Sequence, residues 1–241
     1  MTDIDVSAVL EAEIFPPVEF ADGDGILCVS EFLSVPMLMN AYWNGIFPWP
    51  WDESCVPWAA PAYRGVIPLD EFHVPKSFVR EMKKLPFELR IDTVFEEVMD
   101  QCAVQLRNGE PGTWITSVMK SAYRDFHAAG WAHSFEVWNR ESGKLAGGLY
   151  GISIGKIFCG ESMFHLESGA SKFALVKLAE ILKKCGCTLL DTQQVTNATA
   201  PFGAREITRD EYMALLEEHR GLPIPAHTLR TALQSCANKA G

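Results

Sequence analysis

The 241-residue chain has no run of eighteen apolar residues, so no membrane-spanning helix is expected. Its first twenty residues, MTDIDVSAVLEAEIFPPVEF, are acidic and lack the basic start and apolar middle of a secretory signal. Close cysteine pairing is scarce. Of seven cysteines only Cys185 and Cys187 stand near one another, and no second pair completes a zinc site. Such an odd, scattered set is expected to remain as reduced thiols in the cytoplasm. The six histidines show no i,i+4 pair and no cysteine at ligand spacing, so no metal is expected. Positive charge is also short. The 21 Lys and Arg against 31 Asp and Glu leave a net charge of −10, which argues against indiscriminate nucleic-acid binding and suits a cationic partner.

What is there is ordinary globular composition, 48% apolar and 22% charged, enough for one large domain or a large one with a small companion. A helix is expected in SVPMLMNAYWNG, with Ser34 as N-cap, Pro36 in the first turn and Gly45 at the end. The following stretch, IFPWPWDESCVPWAAPAYRG, is too proline-broken for a helix and too aromatic for an idle linker. A boundary near Pro61 to Leu69 separates a small N-terminal domain, residues 1–65, from residues 66–241. VIPL and EFHV read as short strands. Apolar spacing predicts helices over Asp92 to Leu106 and Thr116 to Ala129. Three strands in hairpin order follow: HSFEVWN, KLAGGLYGISI and KIFCGESMF, with turns at Ser142-Gly143 and Gly155. A long helix, SKFALVKLAEILKKC, precedes a strand, TLLDTQ, and Thr208 with Glu211 form a capping box for the last helix. This order is α+β and matches the layout of acetyltransferase-type folds.

Some chemistries can be set aside. GESMF around Ser162 lacks the second glycine and the strand-to-helix context of a nucleophile elbow. Cys159 in a buried strand is expected to be inert. Glu167 to Lys172, ESGASK, opens the long helix as an ordinary cap or as a phosphate cradle. Tyr42, Trp43, Phe47, Trp49, Trp51 and Trp58 are either core or a platform for stacking bases.

Two carboxylates in strands are more informative. Glu161 lies among Phe158, Met163 and Phe164, where an unpaired carboxylate would cost several kcal/mol, roughly, so it needs a partner or a purpose. Asp191 ends the apolar run TLL, and Gln193 shares its strand face. They read either as a chain from carboxylate to amide to substrate, or as two satisfied polar residues at a sheet rim.

In order along the chain stand AYWNGIFPW (41–49), GTWIT (112–116), AYRDFHAAGWAHSFEVW (122–138), GGLYG (147–151), FCGESMF (158–164), ASKFAL (170–175) and LLDTQ (189–193). Together they resemble the leucyl/phenylalanyl-tRNA–protein transferase family over roughly Ile26 to Leu216. The resemblance implies an acetyltransferase-like (GNAT-type) antiparallel or mixed sheet flanked by helices. It implies transfer of Leu or Phe, sometimes Met, from charged tRNA to the N-terminal Arg or Lys of a protein, marking that protein for degradation. It implies no metal, no nucleotide cofactor and no membrane partner, and the protein is expected to be a monomer.

By the same resemblance Asp191 and Gln193 are the catalytic pair, with Gln193 held by Asp191 against the attacking amine and Asp191 favouring a cationic substrate. Glu161, Leu149, Leu175 and Leu190 match the amino-acid pocket. Tyr42, Trp49, Trp114 and Tyr123 match contacts to the tRNA 3′-terminal adenosine, and Lys76, Arg80, Lys83 and Lys84 are candidates for the acceptor stem. The chain departs from the family pattern at Ala198 and Pro201, where His and Ser are usual, at Ser30 to Phe32, and in WAAP (58–61). An enzyme using another acyl donor and a non-catalytic binder of N-terminal Arg or Lys are the competing expectations.

Overall fold

The computed structural model describes residues 5–105 and 115–220. In chain order these form α1 (Val6–Glu11), β1 (Ile26–Ser30), α2 (Val35–Trp43), β2 (Phe47–Pro48), β3 (Val56–Ala59), β4 (Tyr63–Pro68) and α3 (Lys76–Met82). Then come β5 (Phe87–Ile91), α4 (Phe95–Ala103), α5 (Ser117–Ala128), β6 (Ala132–Asn139), β7 (Leu145–Ile154) and β8 (Ile157–His165). The chain continues through α6 (Ala170–Lys184), β9 (Leu189–Gln193), β10 (Arg205–Thr208) and α7 (Arg209–Arg220).

The expected caps are made. Ser34 Oγ accepts from Met37 N at 3.4 Å, and Thr116 Oγ1 from Met119 N at 3.3 Å. Glu211 Oε2 accepts Thr208 N and Thr208 Oγ1, each at 2.8 Å, which closes the capping box of α7. Gly169 caps α6 in the left-handed region without a side-chain bond, and the Lys172 ammonium lies over the Phe78 ring.

The strands make a small sheet, ordered β1-β3-β2, and a seven-stranded sheet, ordered β10-β4-β9-β8-β7-β6-β5. Every pair in the large sheet is antiparallel except β8 with β9, which α6 joins as a crossover. This is the α+β class expected, a mixed sheet flanked by helices. One face of the sheet packs with α2, α4, α5 and α7, through Tyr42, Met99, Phe126 and Leu216 among others. The other carries α6 over Phe135, Leu149, Phe158 and Leu190. No helix among the described residues is long and apolar enough to cross a membrane.

Three features differ from the sequence reading. EFHV is not a strand: Glu71 N and Phe72 N both bond to Pro68 O, folding the segment into a turn, and Phe72 stacks on Phe202 at 5.8 Å. With no neighbour to pair against, its apolar residues dock on the loop before β10 instead. FELRI, which the sequence reading passed over, is the edge strand β5, paired with β6 in full register. The division near residue 65 falls inside β4, which runs into the large sheet, and residues on both sides of it share one apolar cluster.

Candidate active site

β8 and β9 pair only as far as Cys159 and Asp191, although β8 runs on to His165 and β9 to Gln193. Beyond that point the strands part, leaving a notch in the sheet. Glu161 stands at this notch as the extra residue of a β-bulge: Tyr150 pairs with Ser162 and Gly151 with Gly160, so Glu161 has no partner across the ladder. The insertion also shifts the alternation, so that Phe164 rather than Met163 shares the face of Tyr150. Gly151, the last residue of GGLYG, permits the bulge, because a Cβ there would sit 2.3 Å from the Cys159 carbonyl oxygen.

Gln193 bridges the notch. Its amide Nε2 donates to Glu161 Oε1 at 2.9 Å, replacing with side chains the ladder that the backbone has abandoned. Its own backbone is left-handed, φ +59°, a conformation uncommon for a residue other than glycine. Asp191 Oδ1 accepts Gln193 N at 2.8 Å and holds that turn. The expected link from Asp191 to the Gln193 side chain is therefore corrected: the carboxylate grips the backbone, and the side chain belongs to Glu161.

Asp191 is fully buried and saturated. Arg64 Nε lies 2.9 and 3.1 Å from its two oxygens, Arg64 Nη2 2.7 Å from Oδ2, and the Tyr212 hydroxyl donates to Oδ2 at 2.8 Å. The guanidinium is sandwiched between the Phe47 ring, 4.4 Å from its carbon, and the Tyr212 ring, 4.6 Å away. Burial alone would oppose its charge, but Asp191 and Tyr212 more than offset this and raise its pKa. Asp191 thus has its cation already, and the expectation that it draws a cationic substrate does not hold. Neither Arg64 nor Tyr212 was singled out from sequence. The available signals were an arginine entering an apolar strand and a tyrosine on the apolar side of α7 beside Leu216.

Glu161 and Gln193 are buried as well, 8% and 5% exposed against 0% for Asp191. The Tyr123 hydroxyl donates to Glu161 Oε2 at 3.3 Å, and Tyr42 hydrogen-bonds to Tyr123 and Glu161. Burial is the chief cause that pushes the Glu161 carboxyl up to about 7; hydrogen bonding from Tyr42 opposes it, and the charge of Asp191 assists. Burial, and then the Glu161 charge, hold both tyrosine hydroxyls well above their ordinary pKa, so they remain protonated donors. Burial likewise pushes up the Cys159 thiol, which keeps it from serving as a thiolate nucleophile.

The other expected residues divide. Tyr42 and Tyr123 are interior, with rings packed on Phe126 and, for Tyr123, on Tyr150. Their burial does not support stacking on adenosine; their hydroxyls serve Glu161 instead. Trp49 is half-buried, with its ring edge-on to Phe47, and Trp114 lies outside the described residues. Leu149, Leu175 and Leu190 do come together, in the cluster beneath α6 on the opposite face from Tyr150. Gly160, next to Glu161, approaches that cluster: its Cβ position is 3.7 Å from Leu190 Cδ1. Lys76, Arg80, Lys83 and Lys84 are all exposed, on α3 and just after it.

The mixed sheet, its crossover helix and a carboxylate–amide cluster where the parallel strands part define an acetyltransferase-like α+β domain. The family profile described as leucyl/phenylalanyl-tRNA protein transferase matches residues 66–217. A leucyl/phenylalanyl-tRNA–protein transferase of Nitratidesulfovibrio vulgaris is 43% identical over 208 residues, 86% of this chain and 88% of that protein. Another, from Thiobacillus denitrificans, is 44% identical over 88% of this chain and 92% of its own length. The chain belongs to the leucyl/phenylalanyl-tRNA–protein transferase family. Among solved structures, FemX aligns with 65% of this chain and 64% of its own at 11% identity, with a TM-score of 0.46, a likeness too loose to bear on the site.

Proposed function

We propose that this protein transfers leucine or phenylalanine from charged tRNA to the N-terminal Arg or Lys of acceptor proteins, marking them for degradation, as a cytoplasmic monomer. The observation that carries the reading is the Gln193 amide, bonded to Glu161 and fixed from behind by Asp191 in the notch of a chain of this family. An aminoacyl ester is already activated, and an α-amine of pKa about 7.7–8.0 is partly neutral near pH 7. Such a reaction needs alignment and a place for one proton, with no strong base and no redox group.

In this reading Gln193 touches the amine, and Asp191 positions Gln193 through its backbone. Glu161 lies beside the amino-acid pocket, whose apolar walls are Leu149, Leu175 and Leu190. Trp49 and Trp114 are assigned to the tRNA end, and Lys76, Arg80, Lys83 and Lys84 to the acceptor-stem phosphates, where their exposure supports contact. Phe47 from β2 and Arg64 from β4 pack behind the site against Asp191.

The test is transfer of labelled Leu or Phe from tRNA to peptides beginning with Arg, Lys or Ala. Labelling of the Arg and Lys peptides, and not of the Ala peptide, is expected. No labelling of any peptide would overturn the reading, and labelling from acyl-CoA alone would place the protein among enzymes using another donor.

A further inference from the structure

The two carboxylates of the notch have opposite surroundings, and that difference divides the work between them. Asp191 holds three contacts from Arg64, one from the Tyr212 hydroxyl and one from Gln193 N, and is 0% exposed. A proton arriving there would have to displace a charge-assisted bond, each roughly twice as strong as a neutral one. Among the described residues Glu161 makes no ion pair of its own. Around it stand Tyr42 from α2, Tyr123 from α5, Gln193 and Asp191 from β9, Arg64 from β4 and Cys159 from its own strand. Its two direct tyrosine neighbours are neutral hydroxyls that hydrogen-bond it without bringing a charge. When environments push two neighbouring titratable groups apart in this way, they assign the acid–base roles.

We propose that Glu161 carries the proton of the transfer step. As the α-amine nitrogen bonds to the ester carbonyl carbon, the N–H bond breaks and its proton passes to Glu161. As the carbon–oxygen bond to the ribose breaks, the same proton passes to the leaving ribose oxygen, so the carboxylate is restored each turnover. Gln193 serves the step by orientation. With Nε2 committed to Glu161, its Oε1 is the acceptor presented to the incoming amine. Asp191 touches neither substrate and is a positioning residue. This inference deepens the aminoacyl-transfer reading and rests on it. The upward push on Glu161 toward about 7 suits the task, because a carrier should titrate near working pH and near the amine it serves.

The experiment is single-turnover transfer from Phe-tRNA to an Arg-start peptide between pH 5.5 and 9. The parent protein is expected to show two limbs, one near 7 from Glu161 and one near 8 from the amine, by the reference value of about 7.7–8.0. Glu161→Gln should lose the lower limb and slow by about 10²–10⁴-fold at pH 8, the usual worth of a general acid–base group. Its affinities for tRNA and peptide should hold within about threefold, on the same scale of effects. Asp191→Asn should be slower with both limbs present. Glu161→Asp keeps a carboxylate and should retain a lower limb at reduced rate, which serves as the second variant if Glu161→Gln does not fold. Glu161→Gln with both limbs intact would overturn the inference, and so would a defect confined to substrate affinity. An inactive parent protein would instead overturn the proposed function.

Discussion

Two pairs of buried carboxylates sit in the large sheet, and they differ in what their oxygens face. At the β5–β6 end Asp92 accepts His127 Nε2 at 3.2 Å, His133 Nδ1 at 2.9 Å and Ser134 N at 2.9 Å. Beside it, Glu136 accepts Thr93 N at 3.1 Å, Thr93 Oγ1 at 2.9 Å and Val94 N at 3.4 Å, and bonds the Ser134 hydroxyl. Val94 is the N-cap of α4, so Glu136 supplies that helix with the anion its amide groups want. Asp92 and Gln193 are also the two non-glycine residues with positive φ among those described. Each turn is held by an aspartate: Asp92 by its own side chain, Gln193 by Asp191. The β5–β6 pair spends every bond on tying α4, α5 and β6 together. The notch pair is asymmetric: Asp191 is tied to the Arg64 guanidinium, while Glu161 bonds neutral hydroxyls and an amide. Buried charge is therefore no mark of a site by itself; what distinguishes the two pairs is the kind of partner each oxygen has.

The widest separation between the pairs should appear on removing the cation of one. Arg64→Ala leaves Asp191 buried and unpaired and should cost about 3–5 kcal/mol of stability in urea unfolding. A cost below about 1 kcal/mol on that scale would mean that Asp191 finds water or another donor. The same logic makes Asp191→Ala a folding variant as much as a rate variant, so Asp191→Asn is the better probe.

The next effect is pH dependence, with the sign set by each group. The Glu161 pKa lies above its unfolded value, so the stability tied to its protonated form is full at low pH. It is lost between roughly pH 4.3 and 7, by on the order of 3–4 kcal/mol. Glu161→Gln should therefore match the parent protein near pH 5 and exceed it at pH 8; parallel curves would refute this. Asp92 runs the other way. Burial raises its pKa, but hydrogen bonds from His127 and His133 and the charge of His133 outweigh burial and hold it well below the ordinary range. Its contribution is present above its unfolded value and is lost as pH falls.

Smaller still, Glu136→Gln should cost about 1–2 kcal/mol while leaving transfer per folded molecule unchanged. A rate loss there beyond about threefold would erase the contrast between the pairs. Tyr212→Phe should cost about 1 kcal/mol and lower the rate constant more than it alters substrate affinity, since it acts through Asp191. An affinity change alone would place Tyr212 at a substrate instead.

The sequence made most of the helices, their caps and the three-strand meander legible, because each announces itself locally through spacing or a capping residue. FELRI carries the period-two alternation of a strand, yet its pairing with β6 lies across two helices, and EFHV looked similar without having a partner. Local pattern cannot separate those two cases. The motifs named Glu161, Asp191, Gln193, Tyr42 and Tyr123 for three separate roles, and the structure places them in one cluster. Their bonds were not legible: a parting of strands and a bulge decide that Gln193 meets Glu161 and that Asp191 meets Arg64 from 127 residues away. The tyrosines read as platforms because aromatic identity is visible in a sequence while burial is not.

Gly65 pairs with Gln193 across β4 and β9, at a bulge where a Cβ would lie 2.4 Å from the carbonyl carbon of Gln194 and 2.7 Å from Val195 N. Any side chain there must push aside the backbone that follows the Gln193 amide. The residue beside Gly65 is Arg64, so one dipeptide governs the amide twice, once through charge and once through empty space. Inherited change at this dipeptide would strike the fold and the placement of that amide together, so β4 couples the soundness of the sheet to the geometry of the notch.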